Sequence, residues 1–292
     1  MHGRDIISTT TIGETLSLLS ERKGEYRIIA GGTDLLIELR NGDVAGSVKL
    51  LIDIDSVSEM SCVREEEGEI HVGAGLKHAD CVSDPLLREK APLLSAASSW
   101  VGSPQIRNRG CIGGNIVTAA ACADTVPALV AMDARCVLVS QNGDGTISSR
   151  EVLVSDFICG VGSVDIRPGE LMTEVKFPVP DRRMHWAYEK LVRRNALVKA
   201  RMTIAVLGRT EADGTTGAVS ISLGSVTPRP MRFREAENVL LGKAPSGGLY
   251  RQAAEKVSAE MIARTGYRWS TEYKKPVAEA LTVRALRKVL EE

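Results

Sequence analysis

The segment Pro178-Val179-Pro180-Asp181-Arg182-Arg183 constrains the fold most. Two prolines remove backbone donors and fix φ, and three charges follow, so neither a helix nor a central strand runs through it. It divides 292 residues into 1–178 and 183–292. A length about twice a typical domain of roughly 150 residues accommodates two units.

Short apolar runs and helical periods alternate on both sides of this break. Ile12, Leu16 and Leu19 follow the cap candidates Thr10 and Thr11 at helical spacing, which predicts a helix over 11–21. Strands are predicted at 27–30, 50–54, 69–72, 136–140 and 170–177, and helices at 35–40, 77–80, 86–100 and 125–134, the last capped by Asp124. Residues 103–115 are polar and glycine-bearing, as a ligand-holding loop is. Downstream, strands at 203–209 and 218–224 flank the turn Ala212-Asp213-Gly214, and helices follow at 233–241, 250–262 and 275–291. No regular βαβ rhythm emerges, so an α+β fold is favoured over a doubly wound sheet.

Lys+Arg 37 balance Asp+Glu 37, which leaves no basic excess for nucleic acid. The longest apolar stretch, 119–134, is interrupted by Asp124, Pro127 and Asp133 and falls short of the ~20 residues of a membrane span. Residues 1–5 lack the apolar core of a signal peptide, so a cytoplasmic location is expected. Cys62, Cys81, Cys111, Cys122, Cys136 and Cys159 form no C-x2-C pair, and the four histidines form no ligand pattern, so no metal is expected on this chain.

The usual nucleotide fingerprints are missing. Gly73-Ala74-Gly75 and Gly160-Val161-Gly162 begin as G-x-G but lack the third glycine, and neither a Walker A lysine nor a G-x-S-x-G elbow is present. Two glycine pairs remain, Gly31-Gly32 and Gly113-Gly114. Glycine permits φ > 0, and consecutive N–H groups in such a turn form a concave nest for an anion. Thr33 adds a hydroxyl donor, and a helix starting near Asp34 points its positive end the same way. With Asn115, Thr118 and Asp124 nearby in sequence, these loops suit a phosphate-containing ligand.

The stretch Ala30-Gly31-Gly32-Thr33-Asp34-Leu35-Leu36 is followed in order by Gln105-Ile106-Arg107-Asn108, Ile112-Gly113-Gly114-Asn115 and Ala123-Asp124-Thr125-Val126-Pro127-Ala128-Leu129. Farther on come Gly169-Glu170-Leu171, Tyr188-Glu189-Lys190-Leu191-Val192-Arg193-Arg194 and Leu223-Gly224-Ser225-Val226-Thr227-Pro228-Arg229-Pro230. Nearly the whole chain thereby resembles the flavoprotein (medium) subunit of the molybdenum hydroxylases, the xanthine, carbon monoxide and nicotinate dehydrogenases.

The resemblance implies a two-lobed FAD-binding domain of the vanillyl-alcohol-oxidase (PCMH) type, with lobes of about 1–55 and 56–178, and a smaller α+β C-terminal domain over 183–292. FAD would be held non-covalently. Ile28, Ile29, Ala30, Gly31, Gly32, Thr33, Asp34, Leu35 and Leu36 would wrap its diphosphate with backbone N–H groups. Gly113, Gly114 and Asn115 would form the second wall, with Thr118 and Asp124 touching the cofactor. Leu171 and Met172 would pack near the adenine or the ring system, and Lys190 would lie close to the flavin, although relatives place a lysine where this chain has Glu189. Arg193 and Arg194 read equally as surface charges. The family usually has Thr or Ser where this chain has Cys111, whose thiol is a poor donor.

The implied function is FAD-mediated electron transfer in a multi-subunit hydroxylase. Electrons would come from iron–sulfur clusters on a small two-[2Fe-2S] subunit, after substrate oxidation on a large molybdopterin subunit, and leave to an acceptor such as NAD. A dimer of heterotrimers is the expected assembly, with the surface around 268–273 part of a subunit contact. One alternative is a self-sufficient FAD-dependent oxidase; such enzymes often tether flavin through histidine or cysteine, and no histidine is expected near either glycine loop. A flavin-free assembly subunit is disfavoured by the four intact glycines.

Overall fold

The computed structural model describes residues 5–22, 24–42, 48–192 and 199–291. The first lobe runs β1 (Asp5–Ser8), α1 (Ile12–Glu21), β2 (Tyr26–Ile29), α2 (Leu35–Asn41) and β3 (Leu50–Asp53). Its sheet has the order β1-β3-β2 with every pair parallel. A βαβ rhythm therefore exists locally, hidden from the sequence because the four residues of β1 are exposed and carry no alternation. Central β3 supplies Leu50, Leu51 and Ile52 to the interior. Thr11 caps α1, its hydroxyl accepting from the Glu14 N–H at 3.1 Å.

The second lobe contains β4 (Val63–Glu66), β5 (Glu69–Gly73), α3 (His78–Ser83), α4 (Pro85–Lys90), α5 (Pro92–Ser99), α6 (Pro104–Arg107), α7 (Ile112–Thr118) and α8 (Val126–Ala131). It continues with β6 (Arg135–Gln141), β7 (Ile147–Leu153), α9 (Val154–Phe157), β8 (Ile158–Gly160), β9 (Ser163–Val164) and β10 (Glu170–Pro178). Five strands form an antiparallel sheet in the order β4-β5-β10-β6-β7. The helix expected over 86–100 is two helices. Asp84 caps the first by accepting from the Leu87 N–H at 2.9 Å, and Pro92 forces Ala91 out of helical geometry (φ −134°). Strand β7 went unread because its residues alternate between exposed and half-buried with hardly an apolar face.

The C-terminal part is β11 (His185–Leu191), β12 (Met202–Thr210) and β13 (Thr216–Gly224), an antiparallel meander, followed by α10 (Arg234–Leu240), α11 (Gly247–Thr265) and α12 (Thr271–Leu290). Alternate residues of this sheet serve two cores. Tyr188, Ala205 and Leu207 join the interior of the FAD-binding half, while Ala187, Ile204 and Val206 pack with Tyr250, Val257 and Leu286 of the helices. Arg193 and Arg194 lie outside the described residues. Among the described residues, no helix is long and apolar enough to cross a membrane.

Candidate functional site

A cleft of about 350 Å³ opens where the two lobes of the N-terminal half meet. That volume falls within the range of small-molecule sites. One wall is the turn from β2 into α2. Here Gly31 is pressed against another segment: a Cβ on it would stand 1.8 Å from the Arg109 carbonyl oxygen. Gly32 follows with φ +69°, a conformation side chains rarely adopt. Among the described residues, no backbone N–H from Gly31 through Leu35 has a protein acceptor. Helix α2 is only seven residues long and Asp34 gives it no side-chain cap, so the free N–H groups rather than a long dipole make this wall attractive to an anion.

The opposite wall is α7. The expected loop over 103–115 is here corrected to two short helices. Ser103 caps α6, its hydroxyl accepting from the Ile106 N–H, with Pro104 in the first turn. Cys111 caps α7, its Sγ accepting from the Gly114 N–H at 3.4 Å. The Gly113 N–H donates to the Ala74 carbonyl at 2.8 Å, and the Asn115 N–H to the Cys111 carbonyl at 3.0 Å. This second glycine pair thus has its donors engaged. Gly113 is packed on Ala74, whose oxygen would be 2.8 Å from a Cβ, whereas a Cβ on Gly114 would meet only the Cys111 sulfur. Gly114 is exposed and presents a bare backbone face to the cleft.

Of the residues singled out in the sequence, Ile28, Ile29, Ala30, Gly31, Gly32, Thr33, Asp34, Leu35, Cys111, Gly114, Asn115 and Thr118 line this cleft together. Leu36, Gly113, Asp124, Leu171 and Lys190 lie outside its wall. Leu36 packs against Leu39, Val48 and Leu51. Leu171 is a core residue of β10 opposite Val139.

Asp124 does not cap α8, whose N-cap Thr125 makes no side-chain cap bond. It instead forms a buried pair with Lys190, Nζ to Oδ2 at 2.8 Å, with 3% and 8% of the two side chains exposed. The Lys190 ammonium also donates to the Trp100 carbonyl at 2.9 Å, and the Tyr188 hydroxyl donates to the Asp124 carbonyl at 3.0 Å. Burial pushes the Asp124 carboxyl up to about 6, opposed by the hydrogen bond and charge of Lys190. Its Oδ1 has no partner among the described residues. The couple lies behind the cleft: the Thr125 hydroxyl donates to Asn115 Oδ1 at 2.7 Å. Glu189, one residue earlier on β11, turns the other way and pairs with Arg284 of α12. Lys190, not Glu189, faces the FAD-binding half.

Several wall residues were not singled out in the sequence, and one of them is a buried histidine. His78, at the start of α3, lines the cleft and is 2% exposed. The expectation that no histidine lies near either glycine loop is corrected by it. A lone histidine after Lys77 carries no spacing signal, and only the tertiary fold brings it beside Gly110 and Thr33.

The family described as the FAD-binding domain in molybdopterin dehydrogenase matches residues 3–180, well over half of the chain. The chain belongs to that family. It is an oxidoreductase subunit of the molybdenum hydroxylase class, with an FAD-binding domain. Residues 186–289 match the C-terminal domain of carbon monoxide dehydrogenase flavoproteins. The glyceraldehyde dehydrogenase medium chain of Sulfolobus acidocaldarius is 30% identical over 97% of both chains. The nicotinate dehydrogenase FAD-subunit of Eubacterium barkeri is 34% identical over 82% of this chain and 79% of its own. A solved chain of carbon monoxide dehydrogenase from Hydrogenophaga pseudoflava superposes with a TM-score of 0.88 at 29% identity, covering 98% of this chain and 96% of that one. The cleft fits the family's dinucleotide: a run of N–H donors without partners among the described residues, a side-chain-free backbone face opposite, and a buried imidazole whose Nδ1 has no partner among those residues.

Proposed function

We propose that this chain is the FAD-binding electron-transfer subunit of a multi-subunit molybdenum hydroxylase. A small two-[2Fe-2S] subunit and a large molybdopterin subunit are its partners, in a dimer of heterotrimers, and NAD is a final acceptor. The observation that carries the reading is the unbroken stretch of unengaged N–H groups from Gly31 to Leu35, facing the bare Gly114 across one cleft. Five donors on a fixed backbone stabilise a diphosphate without needing a positive side chain. Ile28, Ile29 and Ala30 complete that wall, and Asn115 and Thr118 offer polar atoms from the other. Gly113 acts one layer back, letting α7 approach Ala74. Thr125 holds Asn115, and the Asp124–Lys190 pair ties β11 to the segment before Thr125. Leu36 and Leu171 support the wall from the core rather than by contact. Bound FAD supplies the step between single-electron donors and a two-electron acceptor, and the protein's part is binding, orientation and tuning.

The chain purified alone, in this reading, carries flavin but no iron or molybdenum and does not hydroxylate purines, aldehydes or carbon monoxide. Recovered from its source, it brings down two further polypeptides and both metals. Metal analysis and mass spectrometry of that complex test the assignment; a lone flavoprotein turning over its own substrate would sink it. His78 and Cys111, both in the cleft wall, are the features favouring the alternative, a self-sufficient FAD-dependent oxidase with a histidine or cysteine tether. Acid precipitation separates the two, since non-covalent flavin leaves the pellet.

A further inference from the structure

Among the described residues, His78 is the wall residue of the cleft with a fully buried side-chain polar atom, Nδ1, that has no partner. It is 2% exposed, and neither ring nitrogen is hydrogen-bonded among the described residues. Its backbone is fixed, the His78 N–H donating to the Gly110 carbonyl at 3.1 Å. The ring lies over the same residue: Cδ2 is 3.4 Å from the position a Gly110 Cβ would occupy, and Thr33 Oγ1 is 3.5 Å from that point. The Cδ2 edge of the ring therefore faces Gly110, a wall residue that Thr33 of the first glycine loop also approaches. A buried polar group without a partner is costly, and native structures leave few of them.

The protonation state follows from the surroundings. Burial, then the charges of Arg107 and Lys77, pushes the imidazole down to about 4, so it is neutral and carries a single N–H. Nδ1 is fully enclosed with no acceptor in reach. An enclosed donor without an acceptor is rarer and costlier than an unfilled lone pair, which puts the proton on Nε2.

We infer that His78 is a cofactor-binding residue, an uncharged donor whose Nε2–H completes the first glycine loop by hydrogen-bonding an oxygen of the dinucleotide's ribityl–diphosphate stretch. This deepens the proposed function and rests on it. A neutral donor adds direction without adding charge. It orients a group that the Gly31–Leu35 amides already attract, whereas Arg107 is held away by its bonds to the Val101 and Gly102 carbonyls.

The test uses the full chain stripped of flavin and titrated with FAD. His78→Met, similar in volume and without a donor, weakens FAD binding about tenfold, the worth of one net hydrogen bond. His78→Gln, whose amide N–H reaches about as far as Nε2, stays within about threefold of the wild type. Unchanged affinity in His78→Met overturns the inference, and so does an equal loss in both variants. A measurement on the unmutated chain stands apart from folding effects. Imidazole ¹⁵N resonances place the proton on Nε2, and that resonance moves on adding FAD; a proton on Nδ1, or an unmoved signal, overturns the inference alone. Flavin fixed to His78 after acid precipitation overturns it too, because Nε2 would then lack its proton. A wild-type chain that binds no FAD overturns the functional reading and this inference together.

Discussion

Gly31-Gly32 and Gly113-Gly114 are the same dipeptide put to opposite uses. The first pair leaves its N–H groups free and is locked from behind by the Arg109 carbonyl. In the second, backbone donors are engaged with Ala74, Cys111 and the Cys111 thiol, and what remains useful is the missing side chain of Gly114. One loop supplies hydrogen bonds and the other supplies room. Within each pair the labour divides again: Gly31 and Gly113 are glycine because backbone lies against them, Gly32 because of its φ, and Gly114, in the function proposed above, because of the ligand's space.

The sharpest way to break this comparison is Gly31→Ala. A Cβ 1.8 Å from a backbone oxygen has no flexible neighbour to displace, so stability falls by about 4 kcal/mol or more and flavin is lost with it. Thermal unfolding with the flavin content recorded checks this; a stable, flavin-loaded variant would remove the close approach from the argument. Gly113→Ala and Gly114→Val then divide the second pair. The first costs about 2 kcal/mol through its clash with Ala74. The second changes stability by only about 0.5 kcal/mol yet empties the cleft of FAD. Equal behaviour of the two would end the distinction between packing and room.

Behind the second loop, Asp124 gives a pH signature. Its carboxyl is raised from 3.8 to about 6 by burial, against the pull of Lys190. Between those values the folded chain holds a proton that the unfolded chain has released, so this group's contribution to stability rises as pH falls through about 6. Asp124→Asn should flatten that part of the pH–stability curve; an unaltered curve would mean the carboxyl is not the titrating group. The smallest effect is expected at Cys111→Ser. Oxygen accepts the Gly114 N–H better than sulfur does, which adds about 0.5–1 kcal/mol and keeps or tightens FAD binding. A clear loss of flavin affinity would instead show that the site at Cys111 is apolar.

The first glycine loop was legible because its chemistry is local: an apolar run, two glycines and a hydroxyl in sequence constrain one backbone. The wall opposite was legible as glycines but misread as a loop, since the Cys111 cap and the Ser103-Pro104 start are weak signals beside so much polarity. His78 and the Asp124–Lys190 pair were not legible as a site, because β11 and α3 reach them only through tertiary packing. Asp124 reads by its spacing as a helix cap, and a buried lysine outcompeted that role. Strands β1 and β7 were invisible for a simpler reason: they pair at sheet edges without an apolar face.

Strand β11 has a consequence for modularity. Tyr188 and Lys190 point into the flavin-binding half, while Ala187 and Glu189 point at the C-terminal helices. A cut in the proline segment between the two matched families would strip Tyr188, Ala205 and Leu207 from the first interior and leave Asp124 without its cation. The two families meet in sequence at a linker but in space at a party wall, with one strand plastered on both sides. Gene fusions, shuffled chimeras and expression fragments of such chains need to carry β11 and β12 with the N-terminal half, or to move both halves as one piece.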